Sequence, residues 1–274
     1  MTVKLVLSDI DGTILDDQQN IDSNLKETIY ELDQYSIPFI LASARSPKGM
    51  YRLAHKLDIK NSPLACYNGA LVLKNADPRE YQPILSHELD NDEIKKMFYV
   101  ISTKFPNVAI NLYSGKDWFV KRADKWIKIE ANIVRNEPKI QNLNDLIADK
   151  NFPVHKLLLI SESKEIQQLL KYYQGMDFKT SSFYLSKPNY LEVTNKAASK
   201  ESALRGLVNY YQIDLKDTMT IGDNFNDVPM LKLAGKGVAM ANAPQKVKEI
   251  ADVQTISNND DGVSCALKKY VLNK

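Results

Sequence analysis

Val6-Leu7-Ser8-Asp9-Ile10-Asp11-Gly12-Thr13 is the stretch on which the reading of this chain turns. An apolar run, Lys4–Leu7, reads as a buried strand and ends in two aspartates spaced two apart, followed by a glycine turn. Side chains two apart on a strand point the same way, so Asp9 and Asp11 share one small space. Carboxylates placed together repel, and they persist where a cation or a shared proton relieves them. An isolated Asp-x-Asp-Gly is more often an acidic turn that caps a strand. The rest of the chain decides between these readings.

Outward from this stretch, strand and helix signals alternate. Ile21–Gln34 carries Leu25, Ile29 and Leu32 on one helical face. Pro38–Ala42 is a second apolar run, and Ser46-Pro47 opens a helix through Leu57, with serine as cap and proline at the first position. Pro63–Tyr67 is a third strand, ending at Asn68-Gly69. Such alternation predicts a parallel sheet with helices on both faces, which binds its ligand at the carboxyl ends of the strands. Asp9, Ser43 and Asn68 each follow a strand and are expected to converge.

From about Ile84 to Lys187 the character changes. Helices are expected at Ile94–Phe105, Leu143–Asp149 and Glu165–Tyr173, and strands at Val108–Leu112, Trp118–Lys121 and His155–Ile160. Trp118, Trp126, Tyr172 and Tyr173 read as packing residues. Tyr184, Lys187 and Asn189 read as surface packing, with substrate contact as the sharper alternative. Alternation then returns with a strand at Tyr190–Val193, a Ser-capped helix Ser199–Tyr211, a strand Met219–Ile221, a helix Phe225–Leu233, a strand Gly237–Met240 and a helix Pro244–Ala251. The expected fold class is α/β, a doubly wound, Rossmann-like parallel-sheet core (residues 1–83 and 188–274) with an inserted α+β cap domain (84–187).

The 274 residues are 44% hydrophobic and 26% charged, ordinary values for a globular chain with a sizeable core. A net charge of +2 gives no electrostatic case for nucleic acid, and no apolar stretch is long enough to span a bilayer. The N-terminus lacks the pattern of a signal peptide. Cys66 and Cys265, each among apolar neighbours, are expected to be buried free thiols of a cytoplasmic protein. The scattered His55, His87 and His155 argue against a zinc site. The expected partner is a small molecule rather than nucleic acid or membrane, and the chain is expected to be a monomer or homodimer.

A second acidic cluster supplies what the first one lacks. After Met219–Ile221 come Gly222-Asp223-Asn224-Phe225-Asn226-Asp227, two more carboxylates at a strand's carboxyl end. Read alone, this is a series of helix caps. With the first pair it makes an oxygen-rich site suited to Mg²⁺, in which Asp9, Asp223 and the Asp11 backbone carbonyl are ligands. Asp227 either binds a metal water or orients a ligand. The hydroxyl of Ser43 and the backbone amides of the turn at Ala44 and Arg45 suit phosphate oxygens. Lys200, at the start of its helix, would neutralise charge beside carboxylates and phosphate, whereas Lys196 reads as a solvated lysine. Together these point to phosphoryl transfer, in which one carboxylate attacks, another handles protons and a divalent ion holds the phosphate.

At these residues the chain resembles the phosphatases of the haloacid dehalogenase superfamily, in the Cof-like branch with a C2B-type cap. Asp9–Thr13 matches the family's Asp-x-Asp-Gly-Thr, Ser43 its second motif, Lys200 its third and Gly222–Asp227 its fourth. Asn68–Ala70, Val238–Ala243 and Asp260–Val263 fit the branch. The resemblance implies that Asp9 forms an aspartyl-phosphate and that Asp11 protonates the leaving oxygen and then deprotonates water. It further implies that Mg²⁺ is held at Asp9, Asp11, Asp223 and Asp227, and that Ser43, Ala44, Lys200 and Asn226 hold the phosphoryl oxygens. The implied substrate is a small phosphorylated metabolite such as a sugar phosphate, nucleotide or phosphorylated cofactor, selected by a closing cap. A sugar-phosphate mutase and a metabolite-binding regulator remain as alternatives. Ala44, Ala197 and Ala241 stand where relatives usually carry glycine. At Ala44 this matters if the turn needs a positive φ.

Overall fold

A computed structural model describes residues 2–274. The chain divides into two compact units: one runs to Leu85 and resumes at Ser199–Lys274, and the other is Ser86–Ala198.

The first unit begins with β1 (Leu5–Ser8), α1 (Leu25–Gln34), β2 (Phe39–Ala42), α2 (Pro47–Lys56), β3 (Leu64–Cys66), β4 (Leu71–Leu73) and β5 (Pro83–Ser86). In the second lie α3 (Asn91–Lys104), β6 (Ala109–Ser114), β7 (Asp117–Val120), α4 (Lys125–Val134), β8 (Lys139–Ile140), α5 (Leu143–Ala148), β9 (Lys156–Ile160), α6 (Ser163–Gln174), β10 (Ser181–Lys187) and β11 (Tyr190–Asn195). The first unit is completed by α7 (Lys200–Tyr211), β12 (Thr218–Gly222), α8 (Val228–Leu233), β13 (Lys236–Ala239), α9 (Gln245–Lys248), β14 (Val253–Gln254) and α10 (Gly262–Leu267).

The first unit's sheet has the order β14-β13-β12-β1-β2-β3-β4-β5. From β14 to β3 the pairing is parallel, and β4 turns back antiparallel on β3. Every residue of β1, β2, β3 and β12 is buried, as a parallel sheet covered on both faces requires. Leu5, Leu7, Ile40, Ala42, Ala65 and Val72 pack against Leu204, Leu207 and Met230. The strand order reverses at β1, with β2 on one side and β12 on the other, so a crevice opens at their carboxyl ends.

The second unit's sheet has the order β10-β11-β9-β6-β7-β8, antiparallel except for β7 with β8. Leu112, Leu157, Leu159, Leu191 and Val193 pack with Ile94, Met97, Ile101, Ile166 and Leu169 from the helices. β11 belongs to this sheet, and residues 188–198 belong to this unit rather than to the parallel core. The cause is the β10–β11 hairpin: its ladder runs on through Ser181↔Asn195, and the apolar run of β11 covers β9.

Other expectations also need correction. Cys265 is exposed, and only Cys66 is buried; both are free thiols. α8 starts at Val228 rather than at Phe225, whose ring is 57% exposed. Trp118 is buried, stacks on Tyr113 and donates to Asn111 Oδ1, but Trp126 is only half-buried beneath Lys125. Tyr173 is buried and Tyr172 exposed. Lys196 donates to the carbonyls of Phe178 and Lys179 (2.7 and 2.9 Å) and ties the start of β10 to the end of β11. The Tyr184 hydroxyl donates to Glu192, and Lys187 lies over the Tyr190 ring. Among the described residues no helix is long and apolar enough to cross a membrane.

Glu93 makes the second unit acid-sensitive. Its carboxylate accepts from the amides of Lys179, Thr180 and Ser181 and from the hydroxyls of Thr180 and Ser181. Burial alone would raise its pKa, but these bonds outweigh it and bring the group down from 4.5 to about 2. The depressed value means stability that is present above pH 4.5 and lost as pH falls toward 2, on the order of 3 kcal/mol. His155 adds to the loss: burial lowers it from 6.5 to about 4, so below pH 6.5 the unfolded chain binds a proton that the folded chain refuses. Both tryptophans lie in this unit and report on it alone. Acid titration followed by tryptophan fluorescence is expected to show the unit unfolding between pH 4.5 and 2. Glu93→Ala is expected to move the midpoint to higher pH, and an unchanged midpoint would show that Glu93 is not the anchor.

Candidate active site

Asp9 stands at the end of β1, and its amide donates to the Ile221 carbonyl of β12, which continues the parallel ladder by one residue. This fixes its carboxylate between the two central strands at the reversal point. β12 ends at Gly222, and the turn that follows returns Asp227 against it: a Cβ on Gly222 would lie 2.6 Å from the Asp227 Cβ. Asp9, Asp223 and Asp227 each offer a carboxylate oxygen, all within 4.8 Å of one another.

Lys200 enters from α7. Ser199 caps this helix, its hydroxyl accepting from the Ser202 amide (3.0 Å) while Ser202 Oγ accepts from the Ser199 amide. A cation at a helix N-terminus opposes the helix dipole, so its position calls for compensation elsewhere. The carboxylates supply it: Lys200 Nζ donates to Asp9 Oδ1 and to Asp227 Oδ1, the latter at 2.5 Å, and the ammonium is 1% exposed. Burial alone would depress Lys200, but the charges of Asp9 and Asp227 outweigh it and hold the group above its ordinary value. Burial pushes Asp9 up to about 8, against the pull of Lys200 and with Asp227 adding to the rise. Burial likewise raises Asp223.

Both Asp227 oxygens are engaged. Its Oδ1 faces Lys200, and its Oδ2 accepts from the amides of Asp223 and Asn224, both at 3.0 Å. Asp223 Oδ1 accepts from Thr13 Oγ1 at 2.8 Å. Gly12 permits this approach: its φ is +82°, and a Cβ there would lie 2.5 Å from Asp223 Oδ2.

Asp11 differs from the other acids. Its side chain is 51% exposed and is held by a fork from Arg45, Nε to Oδ2 at 3.0 Å and NH2 to Oδ1 at 2.5 Å. Ser43 is buried, its hydroxyl accepts from the Arg45 amide (3.3 Å), and its carbonyl accepts from the Asn68 amide (2.8 Å). Ala44 is absent from the residues with positive φ, so the turn does not need glycine there. Asn226 is exposed, and its Nδ2 reaches Asn68 Oδ1 at 3.5 Å.

The buried Asp9, Lys200 and Asp227 and the half-buried Asp223 thus form one cluster, while Asp11, Ser43, Ala44 and Asn226 occupy the adjoining turns. Sequence reasoning missed Arg45 as the partner of Asp11 and Thr13 as the partner of Asp223. Both sit inside the motifs quoted above, and their pairing across 34 and 210 residues leaves no local signal.

Two buried carboxyl groups and one half-buried one face a single ammonium, a set of hard oxygen donors that fits a divalent cation. A largely parallel sheet with an acidic cluster at its reversal point places a candidate catalytic or metal site where such sheets bind their ligands. A family model described as haloacid dehalogenase-like hydrolase matches residues 6–267, and the chain belongs to this family. A Haemophilus influenzae protein named "Putative phosphatase" is 34% identical over 273 residues, covering 98% of each chain. The Bacillus subtilis 5-amino-6-(5-phospho-D-ribitylamino)uracil phosphatase YcsE is 25% identical over 274 residues, 98% of this chain and 96% of that one. A crystal structure from Thermotoga maritima superposes with a TM-score of 0.88 at 29% identity, covering 98% of this chain and 97% of that one. The family and these relatives mark the chain as a phosphatase.

Proposed function

We propose that the chain is a Mg²⁺-dependent phosphatase that hydrolyses a phosphate monoester of a small metabolite through an aspartyl-phosphate on Asp9. The observation that carries this reading is the placement of Asp9 at the carboxyl end of β1, aligned by Lys200 and flanked by Asp223.

Asp9 attacks phosphorus, and the bond from phosphorus to the leaving oxygen breaks as Asp11 gives that oxygen a proton. Water then attacks the same phosphorus, Asp11 takes its proton, and phosphate leaves with Asp9 restored. Lys200 holds Asp9 in line and meets the charge that develops on the phosphoryl oxygens, alongside Ser43, the amide of Ala44, and Asn226. Asp9, Asp223 and the Asp11 carbonyl would hold Mg²⁺, which when bound neutralises charge on the phosphate. Asp227 aligns Lys200 through Oδ1 and holds the Asp223 turn through Oδ2. The inserted unit selects the leaving group. The substrate class is a sugar phosphate, a nucleotide or a phosphorylated cofactor, and a ribityl-type phosphate like that in the name of the Bacillus relative belongs among the candidates.

The test is phosphate release by purified protein over a panel of such monoesters. Release is expected with Mg²⁺ and is expected to be abolished by EDTA and restored by excess Mg²⁺. Failure of the folded protein to release phosphate from any member, or release indifferent to metal removal, would overturn the reading.

A further inference from the structure

Resting on the reading of Asp11 as proton donor, we infer that Asn242 and Asn258 are positioning residues that clamp the loop after β1 and set where the Asp11 carboxylate stands. Within that loop the amides of Thr13, Ile14 and Leu15 all converge on one acceptor, the Ile10 carbonyl (3.2, 3.0 and 3.1 Å). The carbonyls of Gly12 and Leu15 are met from outside the loop. Asn242 Nδ2 donates to the Gly12 carbonyl at 2.8 Å, and Asn258 Nδ2 donates to the Leu15 carbonyl at 3.0 Å. The two clamps are joined, because the Asn258 amide donates to Asn242 Oδ1 at 3.1 Å.

The chemistry explains the residue type. A carboxamide donates and accepts at once, and Asn242 does both: it gives a proton to Gly12 and takes one from Asn258. Ionised Asp lacks the donor and Ala lacks both groups, so neither can reproduce that pair. Asn258 is 3% exposed, so removing its side chain would strand the Leu15 carbonyl away from water. On the Asp11 side the carboxylate is half exposed and is held by the Arg45 fork. Two of the stretches that fit the family branch, Val238–Ala243 and Asp260–Val263, thereby gain a physical role. The first contributes Asn242, and the second anchors the helix that follows Asn258. The Asp261 carboxylate accepts from the Ser23 amide and hydroxyl and from Asn24 Nδ2, and Asp22 accepts from the Ser264 amide and hydroxyl. This reciprocal lock fixes the segment that carries Asn258 to the chain that leaves the loop.

Asn242 is exposed, so Asn242→Ala should fold, and Asn242→Asp keeps the acceptor for Asn258 while losing the donor to Gly12. The test compares an alkyl phosphate, whose leaving oxygen needs a proton, with p-nitrophenyl phosphate, whose phenolate leaves with little help. If the clamp positions Asp11, kcat/KM of both variants on the alkyl ester falls by roughly 10–100-fold, and on the aryl ester by less than about fivefold. Leu32→Ala, a buried core variant in α1, serves as the control for stability alone: it lowers Tm and leaves the ratio of the two substrates unchanged. Equal losses on both esters, or none, would overturn the clamp while leaving the phosphatase reading intact. An inactive wild-type protein on both esters would overturn the phosphatase reading itself.

Discussion

Asp9→Asn is expected to lower Mg²⁺-stimulated phosphate release by at least about 10⁴-fold, because an amide cannot form the phospho-enzyme and the remaining groups only bind and orient. The fold should survive. The bond that places residue 9 is a backbone one, from its amide to Ile221, and an asparagine Oδ1 still accepts from Lys200. The substitution also relieves the crowding of three neighbouring carboxyl groups, so the variant should melt no lower than the wild type when both are metal-free. The pair of measurements is malachite-green phosphate release and thermal melting in EDTA. An inactive variant with unchanged or raised Tm separates a lost nucleophile from a lost fold. Residual turnover within about tenfold of wild type would move the nucleophile elsewhere, and a collapsed Tm would mean that the charge on Asp9 is structural.

The parts of this site that were legible in the sequence are those encoded by short spacing. Asp9 and Asp11 are two apart just past the end of β1, and Asp223 and Asp227 lie in the turn that follows β12. Alternating apolar runs with caps such as Ser199 placed both at the carboxyl ends of a parallel sheet. The parts that escaped depend on partners far away in the chain. Nothing local in Arg45 says that it forks onto Asp11, and nothing local in Asn242 says that it meets Gly12, 230 residues earlier. Lys196 looks like any surface lysine until its ammonium is seen to close on two carbonyls. β10 hid for another reason. Three of its seven residues, Leu185, Ser186 and Lys187, are exposed, so period-two alternation is weak and the strand that it pairs with, β11, read as a return to the core. α4 hid because Ile129 and Ile133 are exposed and blur its apolar face.

Lys200→Met is expected to have the largest effect on stability, because it removes the buried ammonium that donates to both Asp9 and Asp227. Removing one partner of a buried ion pair costs about 3–5 kcal/mol, since the remaining charges keep their desolvation cost without compensation. For a chain of this size that corresponds to a fall in Tm of roughly 10 °C. Methionine fills much the same space as the lysine stem, so the loss reports charge more than volume. Activity should also disappear, with Asp9 no longer held in line and no ammonium left to meet the phosphoryl charge. Metal binding separates these two losses. With the Lys200 ammonium gone the carboxyl cluster loses its counter-charge, so Mg²⁺ should raise the Tm of the variant by more than it raises that of wild type, while leaving it inactive. Differential scanning fluorimetry with and without Mg²⁺ reads this directly. A variant that melts like wild type in EDTA would mean that the Lys200 ammonium does not compensate buried charge in the free enzyme. The charge argument for a divalent ion at this site would then fail with it.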